Sequence, residues 1–244
     1  MIRLWALTRR EVMSYFFAPV PYLVMFFFLL MTFLVFQFGV QGYQAMVSYQ
    51  PVFSWLSFML LFLIPLLTMT SVADERARNT LETLLTAPVT DWQVILSKWL
   101  GTFVFYVVML VPTLVYLAIL AHFGKDIGKP DMGPVVAAYV GALLLGGMYI
   151  AIGIFSSSIT ENALLSAFVA FFIIIGLWMF AGLPQVKDAG PEWLREAGKY
   201  LSPDAHFNEF LKGRIAVHDV VFFVTMTVLF QFLAVRALES RKWR

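Results

Sequence analysis

Long apolar runs separated by short polar segments dominate this chain. A helix that crosses the roughly 30 Å hydrocarbon core of a membrane needs about 20 mostly apolar residues, because each residue adds about 1.5 Å. The strands of a membrane β-barrel alternate apolar and polar residues, whereas these runs are continuously apolar. The pattern therefore predicts an all-α polytopic membrane protein, with one transmembrane domain over residues 1–244. Six stretches are long enough to span: residues 20–41, 52–72, 99–121, 134–157, 163–183 and 220–238.

The basic residues indicate how these six predicted spans are oriented. An even number of crossings places both termini on the same side of the membrane. Lys and Arg outside or at the ends of the spans number ten on that side and seven on the other. Because basic residues are enriched on the cytoplasmic side of membrane proteins, we predict a multi-pass protein with both termini in the cytoplasm.

Residues 1–18, which precede the first predicted span, have apolar side chains at helical spacing from Ile2 to Phe16. Such a stripe suits a helix that lies in the lipid headgroup layer. Pro19 and Pro21 would separate this helix from the first span, because proline interrupts a helix. The interfacial helix is favoured over the alternative, a simple extension of the first span.

Residues 74–92, between the second and third spans, form the most informative polar stretch. Ala77, Leu81, Leu84 and Leu85 fall on one face at helical spacing, and charged side chains occupy the rest. We predict a short amphipathic helix on the cytoplasmic side. Its apolar face could cover the underside of the bundle or dock into a groove of a partner. Periodicity alone favours packing against the bundle.

Residues 184–218, between the fifth and sixth spans, are too many for an ordinary connection. Gly190-Pro191 and Ser202-Pro203 are each typical of a helix start, with proline at the first helical position. We predict two short amphipathic helices on the outer face that dip into the membrane and rest on the bundle. The alternative is a solvated lid with no role in transport.

The fourth predicted span is rich in small residues. Ala138, Ala142 and Gly146 are four residues apart and share one face. Small residues at this spacing let helix backbones approach closely in a membrane. The stripe predicts a packing face, and its neighbour could belong to the same chain or to a second copy.

The composition narrows the class of protein further. Hydrophobic residues make up 61% of the chain and charged residues 13%, whereas a soluble domain has about 25% charged residues. This excludes a soluble globular protein and an intrinsically disordered one. The net charge of +2 is too small for a nucleic-acid partner, and the absence of cysteine excludes disulfides and thiolate metal sites.

The chemistry that the sequence lacks is also informative. There is no Gly-x-x-x-x-Gly-Lys-Ser/Thr phosphate loop, so we predict that the chain has no ATP site of its own and is not an enzyme. We predict no catalytic, cofactor-binding or metal site, and a metal site from His206, Glu209 and His218 is disfavoured. No ionisable side chain lies at membrane depth, which argues against ion-coupled transport.

The segment from Asp74 to Pro88 resembles the E-R-x-x-x-T-L-E-x-L-L-x-x-P signature of ABC-2-type exporter permeases. In that family the segment follows the second span and forms the coupling helix against the ATP-binding subunit. Residues 157–162 and 201–213 are similar to the second cytoplasmic link and the outer re-entrant region of the gliding-motility and copper-processing branch. The resemblance extends in order over nearly the whole chain.

This resemblance implies a set of functional residues. In the coupling helix, the residues that contact the ATPase subunit would be Glu75, Arg76, Thr80, Leu81, Glu82, Leu84 and Pro88. In the second cytoplasmic link the matching residues are Thr160, Glu161 and Asn162. In the outer re-entrant region they are Ser202, Pro203, His206, Phe207 and Gly213, on the opposite side of the membrane from the ATPase.

The resemblance also implies the partners. Two permease copies would assemble with two ATPase subunits, which bind ATP and Mg²⁺, in the inner membrane of a bacterium, and a periplasmic accessory protein could join them. The favoured hypothesis is thus the permease of an ABC exporter. The alternative is a membrane anchor or assembly subunit that docks a soluble partner and moves nothing. A secondary transporter or channel ranks third.

Overall fold

The computed structural model describes residues 2–42, 50–78, 89–123, 132–180, 198 and 200–240. Every regular element within these ranges is helical, as the sequence predicts. A 3₁₀ turn, Val111–Thr113, interrupts the helical run from Asp91 to Phe123 where Pro112 lacks the N–H that an α-helix needs. The α-helices are α1 (Ile2–Phe17), α2 (Pro19–Gly42), α3 (Gln50–Thr68), α4 (Ala73–Ala77), α5 (Asp91–Leu110), α6 (Leu114–Phe123), α7 (Met132–Ile159), α8 (Ala163–Met179), α9 (Pro203–Leu211) and α10 (Val217–Glu239).

Within the described ranges, five helical runs are long and apolar enough to cross a membrane. They are Pro19–Phe38, Gln50–Ala77, Asp91–Ile119, Met132–Ile159 and Val217–Glu239. Each coincides with a predicted span. The sixth predicted span, 163–183, begins with α8, whose 17 apolar residues fall just short of that length. Residues 181–183 lie outside the described residues, so the sixth crossing stays a prediction. The five long apolar helices are those of a multi-pass membrane protein.

The start of α5 corrects one sequence prediction. The Thr90 hydroxyl accepts a hydrogen bond from the Gln93 backbone N–H, and the Gln93 side chain accepts one from the Thr90 backbone N–H. This reciprocal capping box starts a new helix. The predicted amphipathic helix over 74–92 is therefore wrong at its end, because residues 91 and 92 belong to the helix of the third span. Its beginning corresponds to the short α4.

The helix α7 lies at the centre of the bundle. Within an 18-residue apolar segment of α7, 72% of the residues are buried inside the bundle. The corresponding buried share is 28% in α2 and 22% in α10. Gly146 leaves the space that the Tyr106 ring fills, and the Tyr106 hydroxyl donates to the Ala142 carbonyl at 2.7 Å. Gly141 faces Phe210 of α9 in the same way. The small residues of α7 therefore pack against neighbours in the same chain.

The peripheral helices turn large apolar side chains outward. Phe26 of α2, Phe172 of α8 and Val221 of α10 are each more than half exposed. A water-facing surface rarely carries so much exposed apolar area, but a lipid-facing surface requires it. The outer faces are thus suited to hydrocarbon or to another membrane protein.

The helix α1 is separate from the first span, since α1 ends at Phe17 and α2 begins at Pro19. It packs against the middle of α5. Gly101 of α5 permits this approach, because a Cβ there would come within 2.7 Å of the Glu11 Cβ. The ring of Tyr15 stacks on Phe105 with 5.8 Å between centroids. A place for α1 in the headgroup layer stays a prediction.

Candidate functional site

Four charged side chains meet where α1, α4 and the beginning of α5 come together. The Nζ of Lys98 lies 2.8 Å from Oε2 of Glu75 and 3.4 Å from Oε1 of Glu11. The Nη2 of Arg10 lies 2.9 Å from Oε1 of Glu75 and 3.0 Å from Oε1 of Glu11. Two cations thus face two carboxylates. We call these residues, Arg10, Glu11, Glu75 and Lys98, the junction cluster.

The members of the junction cluster differ in burial. The Lys98 side chain is 2% exposed and that of Arg10 is 52% exposed. A buried ammonium is tolerated only when carboxylates or hydrogen-bond acceptors surround it. Glu75, which lies on α4, supplies one of the carboxylates around the buried Lys98 ammonium, and α4 is fastened to α5 as a result.

Tyr15 adds a second connection at the same place. Its buried hydroxyl is 2.9 Å from Oγ of Ser71, just before α4, and 2.8 Å from Oγ1 of Thr102 on α5. Burial raises the pKa of the Tyr15 phenol, so the phenol stays neutral. The hydroxyl then links α1 to the segment before α4 and to α5 by hydrogen bonds without charge.

Ser157 on α7 holds the N-terminus of α4. Its Oγ accepts hydrogen bonds from the backbone N–H groups of Val72 at 3.0 Å and Ala73 at 2.9 Å. The same hydroxyl donates to the Met69 carbonyl at 3.1 Å. The first N–H groups of a helix have no partner within the helix, and here a serine from the central helix supplies one.

Arg76 brings two of the predicted site regions together. This buried side chain donates from Nη1 to the Thr160 carbonyl at 3.2 Å. Asn162 follows in the same link between α7 and α8, and its Oδ1 caps α8 by accepting from the Leu164 N–H at 2.9 Å. Glu161 is exposed between them. The predicted second link is thus in contact with α4.

A cleft of about 620 Å³ opens beside this arrangement and is lined by Glu11, Tyr15, Asp74, Glu75 and Lys98 among others. Residues 79–88 of the predicted coupling helix fall outside the described residues. Among them are the predicted contacts Thr80, Leu81, Glu82, Leu84 and Pro88. Of the predicted ATPase contacts, the structure therefore positions Glu75 and Arg76.

Sequence spacing assigns no role at this site to Arg10, Glu11, Tyr15 or Lys98, and it does not single out Ser157 within the second link. Both carboxylates that Lys98 contacts come from other helices, and Glu11 is 87 residues away along the chain. Spacing along one chain reveals partners on the same helix, and none of these contacts is of that kind.

The predicted outer residues form one compact unit at the opposite end of α7. The Ser202 hydroxyl caps α9, and Pro203 is the first residue of that helix. Phe207 is fully buried against α7, and His206 hydrogen-bonds to α10. Gly213 ends the unit with a φ of +79°, which suits glycine because it has no Cβ. The first predicted outer helix lies largely outside the described residues.

Comparison with known proteins agrees with these features. The family model of the ABC-2 family transporter proteins matches residues 37–213, which is most of the chain. The probable multidrug ABC transporter permease YbhR of Escherichia coli strain K12 is 24% identical over 179 residues. The corresponding protein of Escherichia coli O157:H7 is equally similar.

The alignment covers 71% of this chain and 45% of each relative, so the chain spans about half the length of the curated relatives that it matches. The region that the family model matches, residues 37–213, includes α3 to α9 and therefore α4, whereas α1 precedes it. The chain is a bundle of apolar helices, and the family model matches most of its length. It therefore belongs to the ABC-2 family of transporter proteins and is a membrane permease of that family.

Proposed function

We propose that this chain is the permease subunit of an exporter that is driven by a separate ATPase subunit. The permease would form the translocation path, and the partner would bind ATP and Mg²⁺. Membership of the ABC-2 family supports the partner in general. The similar protein YbhR is described as a probable multidrug ABC transporter permease.

The proposal includes the assembly and its orientation. Six spans would place both termini in the cytoplasm, in the inner membrane of a bacterium. Two permease copies would join two ATPase subunits. The larger number of basic residues on the side of the termini supports this orientation, and the exposed apolar side chains of α2, α8 and α10 leave room for a second copy.

The observation that carries the proposal is how firmly α4 is attached to the bundle. Glu75 joins it to α5 through buried Lys98, Ser157 joins it to α7, and Arg76 joins it to the link before α8. The segment that begins in α4 continues into the predicted ATPase interface. A movement of an ATPase bound to that segment would therefore reach three spans as a rigid-body displacement.

The experiment is a charge reversal in the predicted interface. The chain is reconstituted in liposomes with the ATPase that co-purifies with it. We expect Glu82→Arg to abolish stimulation of ATP hydrolysis by the permease, with membrane insertion unchanged. The matched control is Glu239→Arg, which makes the same charge change at the end of α10, where Glu239 pairs with Arg236 at 2.7 Å.

Three outcomes would count against the proposal. If Glu82→Arg and Glu239→Arg stimulate ATP hydrolysis equally, Glu82 and the predicted coupling helix do not form the interface with the ATPase. ATP hydrolysis without substrate movement would favour an anchor or assembly subunit. Substrate movement that needs no ATPase would favour a secondary transporter or channel.

A further inference from the structure

Three side chains that can bind a metal ion meet at the outer end of the bundle. His206 comes from α9, and His218 and Asp219 come from the first turn of α10. The Oδ1 of Asp219 lies 2.5 Å from Nδ1 of His206 and 3.0 Å from Nε2 of His218. The three candidate ligand atoms all lie within 4.8 Å of one another. Ligand atoms around a tetrahedral Zn²⁺ ion are about 3.3 Å apart, given bonds of about 2.0 Å. Nδ1 of His206 and Oδ1 of Asp219 would therefore separate by about 0.8 Å on binding the ion.

The His206 ring is oriented like that of many metal-binding histidines. Its Nε2 is 3.1 Å from the Tyr200 carbonyl, to which it can donate, and its Nδ1 faces Oδ1 of Asp219. Histidines that bind metals in proteins commonly donate their other N–H to a carbonyl in this way.

The burial of Asp219 is a second, independent observation. The residue is fully buried, and its Oδ2 has no hydrogen-bond partner among the described residues. An unpaired carboxylate oxygen in an apolar interior costs free energy. A bound cation would compensate that oxygen as well as Oδ1. The ring of Phe222 stacks on His206 with 4.2 Å between centroids and holds the imidazole in place.

The site is also accessible. The His218 side chain is 70% exposed, so an ion could reach the buried pair from solvent past this ring. Two imidazoles and one carboxylate are a ligand set that suits Zn²⁺ and related divalent transition metals, with a position left for water.

The structure corrects the candidate set that the sequence offered and disfavoured. Glu209 does not join the two histidines. Its Oε1 is 2.6 Å from Nζ of Lys212, and Oε2 is 3.6 Å from Nη1 of Arg214. The hydrogen bond from Lys212 lowers the pKa of the Glu209 carboxyl. Asp219, which the sequence reasoning did not name, takes its place beside the histidines.

We propose that His206, His218 and Asp219 bind one Zn²⁺ ion, which fastens the outer helix α9 to the start of the last span. This site is at the end of the bundle away from the junction cluster and does not depend on the proposed ATPase partner. The ion would cross-link two segments that are joined by a short turn at Gly213. Its role is to hold the outer unit in one position.

The test measures Zn²⁺ binding to the full chain in detergent. The chain is purified with a tag that contains no histidine, stripped with a chelator and titrated with zinc chloride by calorimetry. We expect one Zn²⁺ per chain and a rise in Tm on binding, because a ligand of the folded state stabilises it. We expect His218→Ala and Asp219→Asn to bind Zn²⁺ at least tenfold more weakly, since loss of even supporting groups costs about 10- to 100-fold in affinity.

The matched control is His122→Ala, which removes an exposed histidine at the end of α6 and leaves the proposed ligands intact. It should bind Zn²⁺ as tightly as the unmodified chain. Co²⁺ gives a second readout, because its visible absorption reports coordination by nitrogen and oxygen, and the bands should be lost in His218→Ala. Either of two results would overturn the proposal: no stoichiometric Zn²⁺ in the unmodified chain, or equal affinities in His218→Ala, Asp219→Asn and His122→Ala. Asp219 would then only accept hydrogen bonds from the two rings.

Discussion

The Nζ of Lys98 lies 2.8 Å from Oε2 of Glu75, and this pair fastens the short helix α4 to the third span from inside the bundle. The lysine is almost fully buried. A pair of this kind is costly to break, because the remaining partner stays buried without its counter-charge. We therefore expect changes at this pair to destabilise the chain more than changes at exposed charges nearby.

Replacement of the buried lysine should destabilise the chain strongly. We expect Lys98→Met to lower the free energy of unfolding by about 3–5 kcal/mol, because Glu11 and Glu75 lose their buried cation. Arg10→Met is the matched control, since Arg10 contacts the same carboxylates from a half-exposed position, and it should cost less than about 1 kcal/mol. Unfolding of both variants in detergent measures the difference, and similar costs would mean that the pair does not hold α4.

Ser157 should matter more than its neighbour. We expect Ser157→Ala to cost about 1–2 kcal/mol, because two backbone N–H groups at the start of α4 lose their acceptor. Ser158→Ala is the control: this serine is equally buried, but among the described residues its hydroxyl donates to the Phe155 carbonyl of its own helix and to no other group. Thermal unfolding should rank the two variants in that order. The reverse ranking would show that Ser157 does not anchor α4.

The close approach of α3 and α7 should not tolerate a methyl group. A Cβ at Gly153 would overlap the Thr68 side chain, whereas a Cβ at Gly176 would meet no described atom within 4 Å. We expect Gly153→Ala to destabilise the chain by about 1–3 kcal/mol and Gly176→Ala to be neutral or slightly stabilising. The Tm of each variant measures the effect on stability. An unchanged Tm for Gly153→Ala would contradict the close packing of Gly153 against Thr68.

Arg76 should affect how efficiently ATP hydrolysis is coupled to transport. We expect Arg76→Ala to reduce the substrate moved per ATP hydrolysed, because α4 loses its contact with the Thr160 carbonyl. The control is Arg78→Ala, two residues further on, where the side chain is exposed. Reconstituted liposomes supply both numbers. The prediction fails if the two variants couple ATP hydrolysis to transport equally well.

The spans were predictable because the membrane imposes their length and composition. The predicted span 220–238 differs from α10 by only a few residues at each end. The capping box of Thr90 and Gln93 is present in the sequence as a Thr-x-x-Gln pattern, which is typical of a helix start. It was missed because residues 74–92 were assigned to one amphipathic helix. The contacts of Ser157 could not be read at all, because their partners lie 84 and 85 residues away.

The central claim is that a separate ATPase subunit binds the segment that begins in α4 and continues to Pro88. The most direct measurement places a photo-activated cross-linker at Leu84 in native membranes, with a control at Val217, which is exposed at the opposite end of the bundle. The captured proteins are identified by mass spectrometry. The account predicts that Leu84 captures a protein with a Gly-x-x-x-x-Gly-Lys-Ser/Thr phosphate loop and that Val217 does not. Absence of such a protein at Leu84, or equal capture at Val217, would contradict it.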